Sequence, residues 1–166
     1  MYKRQILNNI EKACDDPDAM DAKNQMQIAS FYAGIAITAS GTTAVHALSY
    51  PLGGKYHIAH GVSNAILLAP VMRFNEPACR ERLAAVYDRC MRGGEATAEG
   101  KSAAVIARLE QIVKHLDIPT SLTEFGVPKG DLEDLVASGM EVTRLLVNNL
   151  RPVTPDDARR IYQEIL

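Results

Sequence analysis

The chain has 166 residues, of which 47% are apolar, and a formal net charge of −2, a size that suits one domain with a hydrophobic core. Aromatic residues make up only 5% and tryptophan is absent, which favours close-packed helices over a β-sandwich. Acidic and basic residues are interspersed and no apolar run approaches the roughly 20 residues of a membrane span, so we expect neither a nucleic-acid partner nor a membrane anchor.

The cysteines and the first residues indicate the compartment. Cys14, Cys79 and Cys90 are an odd number without CxxC spacing, which is typical of reduced thiols. The first residues contain no apolar stretch of the signal-peptide kind. The sequence therefore predicts a cytoplasmic protein.

Helical periodicity begins near the N-terminus. Apolar residues recur at helical spacing from Gln5 to Cys14, and a long helix is predicted from about Asp18 to Ser40 after the turn DDPD. The second half of the long helix, IASFYAGIAITAS, is apolar on nearly all sides, which predicts that it is buried. Gly34 costs about 1 kcal/mol of helix propensity relative to alanine, so we expect another backbone to pass close by it.

The next predicted helix carries His46. It is expected to end before Pro51, because the residue before a proline avoids the α region. The adjacent glycines at 53–54 would then let the backbone turn sharply. A further helix is expected to start between His60 and Ser63 and to run through NAILLAPVMRF.

The rest of the chain is also predicted to be helical, which makes the fold class all-α, a helical bundle. The last helix is expected to open at Thr154, with Pro155 in its first turn and two acids following, and to end at Leu166. The other helices are predicted at about 76–92, 97–115, 129–139 and 141–148.

Three of the four histidines lie in AVHALSYPLGGKYHIAHGVSNAILL. His46 and His60 are 14 residues apart, and a turn between them would let both imidazoles face one point, as in a zinc or iron site. His57, three residues before His60, would lie on the same helical face. Capping at His60 and core packing at His46 are the alternatives, because a catalytic metal usually needs three protein ligands.

Other chemistries have weaker support in the sequence. There is no GxSxG nucleophile elbow, no GxGxxG after a strand and no Walker A motif, so no complete nucleotide-binding unit is present. His115 is expected to interact with the dipole at the end of its helix.

The central segment carries a resemblance. Residues 41–75, GTTAVHALSYPLGGKYHIAHGVSNAILLAPVMRFN, resemble the signature of iron-containing alcohol dehydrogenases, the family that includes lactaldehyde reductases and butanol dehydrogenases. The stretch DAKNQMQIAS and the ending RPVTPDDARRIYQEIL are also similar to the family pattern. The resemblance extends over nearly the whole chain.

The resemblance implies a two-domain enzyme, with an N-terminal domain that binds NAD(P) and an all-helical C-terminal domain. A divalent metal, Fe²⁺ or Zn²⁺, would lie in the cleft between them. An Asp and a His from a D-x-x-x-H stretch and two later histidines would hold it, and the later pair matches His46 and His60. The metal would act as a Lewis acid on the oxygen of a small alcohol or aldehyde substrate while hydride passes to or from nicotinamide.

Two departures from the family pattern stand out. No D-x-x-x-H stretch precedes His46, and the nucleotide-binding domain is absent. Tyr50 occupies the place where many members have a histidine, four residues after the first late ligand and near the nicotinamide. We expect Tyr50 to face the cleft as a catalytic residue, with simple packing as the alternative, although a phenol of ordinary pKa, about 10, replaces an imidazole poorly near neutral pH.

The resulting domain interpretation has two parts. Residues 1–5, MYKRQ, look like a translated sequencing-adapter end and are interpreted as a non-native leader, with an ordinary polar helix start as the alternative. Residues 6–166 are interpreted as a single helical domain that carries half of a metal site. The isolated chain is expected to be inactive, and a homodimer is left open. The alternatives are a glycerol-dehydrogenase-like zinc enzyme of the same superfamily and a stand-alone helical interaction module.

Overall fold

The computed structural model describes residues 2–166, and Met1, part of the proposed leader, lies outside them. The described residues form α-helices and two short 3-10 helices, at Leu122–Phe125 and Lys129–Asp131, and contain no β-strand, so the all-α prediction is confirmed. The α-helices are α1 (Tyr2–Asp15), α2 (Met20–Ser40), α3 (Ala44–Tyr56), α4 (His60–Cys90), α5 (Ala98–His115), α6 (Leu132–Met140), α7 (Thr143–Leu146) and α8 (Pro155–Gln163).

The helices are distributed over two compact units. Unit 1 contains the described residues up to Gly41 together with Cys79–Leu116, and unit 2 contains Thr42–Ala78 and Asp117–Leu166. Helix α4 contributes its first part to unit 2 and its last part to unit 1. The boundaries of the leader and of the helical domain remain predictions from the sequence.

The core of unit 2 forms where α3 packs against α6 and α7 and where α6 packs against α8. Tyr162 of α8 is fully buried, and its hydroxyl donates a hydrogen bond of 2.6 Å to the backbone carbonyl of Leu48 in α3. Gly139 of α6 lies at the same point: a Cβ there would come within 2.8 Å of Leu48 Cδ2 and 3.1 Å of the Tyr162 hydroxyl. These three residues hold α3 in place.

Helix α3 does not end before Pro51, so that prediction is wrong; it continues through the proline to Tyr56. An internal proline costs roughly 3 kcal/mol, because it removes a helical hydrogen bond and its ring clashes with the preceding turn. Leu48 and Leu52 on the core face are both completely buried, and each contributes about 1.5–3 kcal/mol through burial. The packing of this face therefore outweighs the local preference of the proline.

The turn between α3 and α4 is made by His57, not by the glycines at 53–54. His57 adopts the left-handed conformation with φ 56°, and its N–H bonds to the Gly53 carbonyl at 3.2 Å. The Ile58 N–H bonds to the Leu52 carbonyl at 3.2 Å, and together these two bonds close the end of the helix. Both glycines remain inside α3.

We expect His57→Gly to raise the free energy of unfolding by roughly 0.5–1 kcal/mol, because relief of left-handed strain exceeds the extra chain entropy of glycine. His57→Val should lower it, since a β-branched residue is strained at positive φ. Urea denaturation followed by circular dichroism measures both changes. His57→Asn is the control and should change stability less, because asparagine tolerates this conformation; a destabilised His57→Gly chain would contradict the assignment of strain.

Helix α4 is continuous from His60 to Cys90, although two helices were predicted here, and it contains Pro70 and Pro77. The burial of Leu67 and Val71, both without exposed surface, stabilises the segment around Pro70. Near Pro77, the Arg151 guanidinium lies 4.3 Å from the Phe74 ring centroid and donates to the Phe74 carbonyl. Tertiary contacts therefore stabilise α4 at two prolines that would interrupt an isolated helix.

Side-chain caps lie at the starts of α5 and α8, and the predicted start of the last helix at Thr154 is confirmed. Thr97 caps α5, with its hydroxyl accepting from the Gly100 N–H at 3.0 Å. Thr154 and Asp157 form a reciprocal capping box at the start of α8, with Pro155 in the first turn. These ends depend on neighbours in sequence, so the sequence predicts them well.

The second half of α2 is exposed, so the prediction that it is buried is wrong. Phe31 is 67% exposed, Ile35 54% and Ile37 48%. A Cβ on Gly34 would meet no heavy atom of the described chain within 4 Å, so the predicted close backbone is also not found. Helix α2 packs against α1, and the apolar side chains beyond that contact remain accessible.

Two pairs of charged or polar side chains in unit 1 join α1 to α5. Arg108 makes a two-pronged ion pair with Glu11, with N–O distances of 2.8 and 2.7 Å. His115 bonds to the Asp15 carboxylate at 2.8 Å, which raises the pKa of His115. The sequence had suggested only a helix-dipole role for His115, because an aspartate 100 positions away cannot be recognised from local spacing.

The cysteines and the longest helices were also located in the described chain. None of Cys14, Cys79 and Cys90 forms a disulfide in the described chain. Within residues 2–166, no single helix has both the length and the apolar character to cross a bilayer; α2 and α3 meet that test only as a bent pair.

Candidate metal centre

The two histidines predicted as metal ligands lie on consecutive helices of unit 2. His46 is in the first turn of α3, and His60 is the first residue of α4. The left-handed turn at His57 reverses the chain between the two helices. As a result the two imidazole rings have their centroids 5.3 Å apart, with an angle of 57° between their planes.

This ring separation fits two ligands of one ion. Imidazole nitrogens bind zinc at about 2.0–2.1 Å, which puts the ring centroids of two ligands about 5 Å apart at a tetrahedral angle. Within residues 2–166, no group of three or more His, Cys, Asp or Glu side chains lies close enough together to hold a metal.

The two imidazoles differ in their surroundings. His46 is partly buried, and this burial lowers its pKa, with a smaller contribution from the nearby His60. A lowered pKa favours the neutral imidazole, which is the form that binds a metal. His60 is exposed, so one imidazole of the pair is sheltered and the other is accessible to solvent.

Asn64 lies one turn after His60 on α4, and its side-chain amide contacts the His60 ring. Its amide nitrogen lies 3.0 Å from His60 Nε2, while its Oδ1 is buried without a hydrogen-bond partner in the described chain. With the amide rotated by 180°, Oδ1 would accept from Nε2–H and the lone pair would be on Nδ1. Sequence analysis missed Asn64, although its position one turn after His60 on the same helical face could have indicated it.

Tyr50 lies one turn after His46 on α3 and is 38% exposed. Its ring centroid is 6.4 Å from that of His60, so the structure brings Tyr50 to the histidine pair. Arg144 at the start of α7 donates to the Tyr50 hydroxyl at 3.4 Å, with its guanidinium carbon 5.9 Å from the ring centroid. Arg144 was also missed, because it lies 94 positions from Tyr50.

His57 does not join the pair through a shared helical face as the spacing had suggested, because it lies in the turn before α4 begins. Its backbone ends α3, and its side chain is exposed. The centre therefore consists of His46 and His60, with Tyr50 beside them.

Known proteins resemble this chain over nearly its whole length. Residues 3–166 match the model of the Fe-containing alcohol dehydrogenase family, C-terminal part. Long-chain-alcohol dehydrogenase 1 of Geobacillus thermodenitrificans is 36% identical over 163 residues, which are 96% of this chain and 41% of that protein. NAD-dependent methanol dehydrogenase of Bacillus methanolicus is 30% identical over 163 residues, which are 97% of this chain and 42% of that protein.

A solved structure shows the same arrangement of helices. The crystal structure of a 1,3-propanediol oxidoreductase superposes with a TM-score of 0.93 and 25% identity, over 99% of this chain and 43% of that one. The chain thus spans about two fifths of the length of the proteins it matches. It belongs to the Fe-containing alcohol dehydrogenase family, whose C-terminal part it matches from residue 3 to its last residue.

Proposed function

We propose that this chain is the helical part of a metal-dependent, NAD(P)-linked alcohol dehydrogenase that interconverts small alcohols or diols and aldehydes or ketones. The observation that carries the proposal is the convergence of His46 and His60, with ring centroids 5.3 Å apart, in a chain of this family. These two imidazoles would hold Fe²⁺ or Zn²⁺ together with ligands from outside this chain. An ion bound there supplies Lewis-acid polarisation of an alcohol or carbonyl oxygen.

The residues around the pair have separate tasks in this proposal. His46 stays neutral because burial lowers its pKa, so it is ready to bind a cation. The Tyr50 hydroxyl accepts from Arg144, which leaves its own proton free to donate to a substrate oxygen beside His60. Tyr50 would therefore orient the substrate, in the place where many relatives have a histidine.

The nicotinamide cofactor would bind to a domain that this chain does not contain. Two relatives are named NAD-dependent methanol dehydrogenase and NADPH-dependent butanol dehydrogenase, which supports a nicotinamide cofactor without selecting between NAD and NADP. In this proposal the nucleotide site and two of the four metal ligands lie outside these 166 residues, so we expect the 166 residues alone to be inactive. The cytoplasmic location and the homodimer remain predictions.

A chimera tests this function. The part of the G. thermodenitrificans long-chain alcohol dehydrogenase that precedes its matched segment would be joined to this chain at Ile6. Loaded with Fe²⁺ or Zn²⁺, the chimera is expected to oxidise alcohols with NAD or NADP, because it restores the missing domain and ligands. The 166-residue chain under the same conditions should show no turnover, measured as reduced nicotinamide absorbance across a panel of alcohols.

Two results would contradict the proposal: turnover by the isolated chain, or an inactive chimera that is folded and contains both metal and nucleotide. Tyr50→Phe in the chimera separates the role of the hydroxyl from that of the ring. Loss of substrate orientation predicts lower turnover with unchanged metal content, whereas Tyr50→His should retain activity because it restores the residue typical of the family.

The first alternative differs in the metal. A glycerol-dehydrogenase-like zinc enzyme would use the same two histidines, and metal analysis of the active chimera after growth without added metal distinguishes iron from zinc. The second alternative is a stand-alone helical interaction module. Exposed apolar side chains in unit 2 favour it, since Val147 is 78% and Leu150 46% exposed. An inactive chimera would shift the balance toward this module.

A further inference from the structure

A second candidate site lies entirely within unit 1. It is a cavity of about 810 Å³ between the N-terminal part of α1, the end of α4 with the segment that follows it, and Arg108 of α5. Neither histidine of the metal centre belongs to its walls. Its volume falls within the roughly 300–1,000 Å³ that is usual for small-molecule sites.

Charged side chains dominate the walls of this cavity. Lys12, Arg89, Arg92 and Arg108 face two carboxylates, those of Glu11 and Asp88. Arg4 also lines the cavity, but it belongs to residues 1–5, the proposed leader, and is not counted here. The walls are thus cationic although the whole chain has a formal net charge of −2.

Both carboxylates are already engaged by other cations. Glu11 forms the two-pronged pair with Arg108 described above, and the hydrogen bond from Arg108 lowers the pKa of Glu11, so that it remains ionised. Asp88 pairs with Lys101 at 2.8 Å. Neither carboxylate is left to neutralise the remaining cations of the cavity.

Three cations therefore lack a compensating charge. Within residues 2–166, Lys12, Arg89 and Arg92 have no ion-pair partner, and all three are exposed to solvent. Like charges around one cavity repel each other, and this repulsion is relieved when an anion binds between them. Arg89 and Arg92 carry planar guanidinium groups, whose paired N–H donors match the oxygens of phosphate groups.

We propose that this cavity binds a small polyanion with two or more phosphate groups, held by Lys12, Arg89 and Arg92. A single phosphate would fill little of a space of about 810 Å³. The apolar side chains of Leu7 and Met91 also line the cavity and leave room for a non-polar part of the ligand beside the phosphates. The Glu11–Arg108 pair fixes α1 against α5 and thereby keeps the cavity open.

Isothermal titration of the 166-residue chain with inorganic tripolyphosphate at 0.15 M NaCl tests the proposal. We expect saturable one-to-one binding with a Kd below about 1 mM. The double substitution Arg89→Ala and Arg92→Ala should weaken binding at least about tenfold, because hydrogen bonds to charged groups are lost. Both residues are exposed, so far-UV circular dichroism should not change, and the free energy of unfolding should fall by no more than about 1 kcal/mol, the contribution of Arg89 in the last turn of α4.

Arg82→Ala is the matched control. Arg82 is an exposed arginine two turns before Arg89 in the same helix and does not line the cavity. At 0.15 M salt its charge is largely screened from the site, so affinity should stay within about twofold. Absence of saturable binding, equal losses in the control and the double variant, or citrate binding as tightly as tripolyphosphate would each overturn the proposal.

Discussion

Replacing His46 or His60 by alanine in the chimera is expected to lower kcat/KM by at least about 1,000-fold, because a bound metal supplies several kcal/mol of transition-state stabilisation. Either substitution removes one of the two rings whose separation fits a shared ion. The loss should appear in metal content as well as in turnover. Both are measured on the same preparation, by elemental analysis after desalting and by nicotinamide absorbance at saturating added metal.

His57→Asn is the matched control for these substitutions. His57 lies between the two histidines in sequence, its side chain is exposed, and asparagine tolerates the left-handed backbone that His57 adopts. The control should retain its metal and most of its activity. If the His46→Ala or His60→Ala chimera kept both metal and turnover, the assignment of that histidine as a ligand would be wrong.

Tyr162→Ala is expected to lower the free energy of unfolding by about 3–5 kcal/mol, since it removes a large, fully buried aromatic side chain. Tyr162→Phe should cost about 1–3 kcal/mol, because the carbonyl of Leu48 loses a buried hydrogen bond of 2.6 Å. Gly139→Ala should also cost about 1–3 kcal/mol, since its Cβ would come within 2.8 Å of Leu48 Cδ2. Urea denaturation of each variant measures these changes.

A double-mutant cycle makes this prediction specific. In Tyr162→Phe combined with Gly139→Ala, the hydroxyl that the new Cβ would meet at 3.1 Å is gone, so the two costs should sum to more than the measured cost of the pair. Tyr32→Ala, at a tyrosine that is 41% exposed on α2, is the control and should change stability by less than about 0.5 kcal/mol. Strict additivity would contradict the shared contact.

Some features around His46 and His60 were predicted from the sequence, and others were not. The spacing of His46 and His60 and the family resemblance together predicted that the two rings converge, and they do, with centroids 5.3 Å apart; their role as metal ligands stays a prediction. The location of the chain reversal between them was not predicted correctly, because the glycines at 53–54 are strong local turn signals while His57 is not. Asn64 and Arg144 were missed, the latter because its contact with Tyr50 joins segments far apart in sequence.

The sequence by itself determined two features that depend on neighbouring residues, helix as the regular structure and the capped start of the last helix at Thr154. Tertiary structure alone decided that α3 passes through Pro51 and that α4 passes through Pro70 and Pro77, because the burial of flanking leucines and valines outweighs the local cost of proline. It also decided that the apolar half of α2 stays exposed, since hydrophobicity favours burial but only a neighbouring surface can provide it.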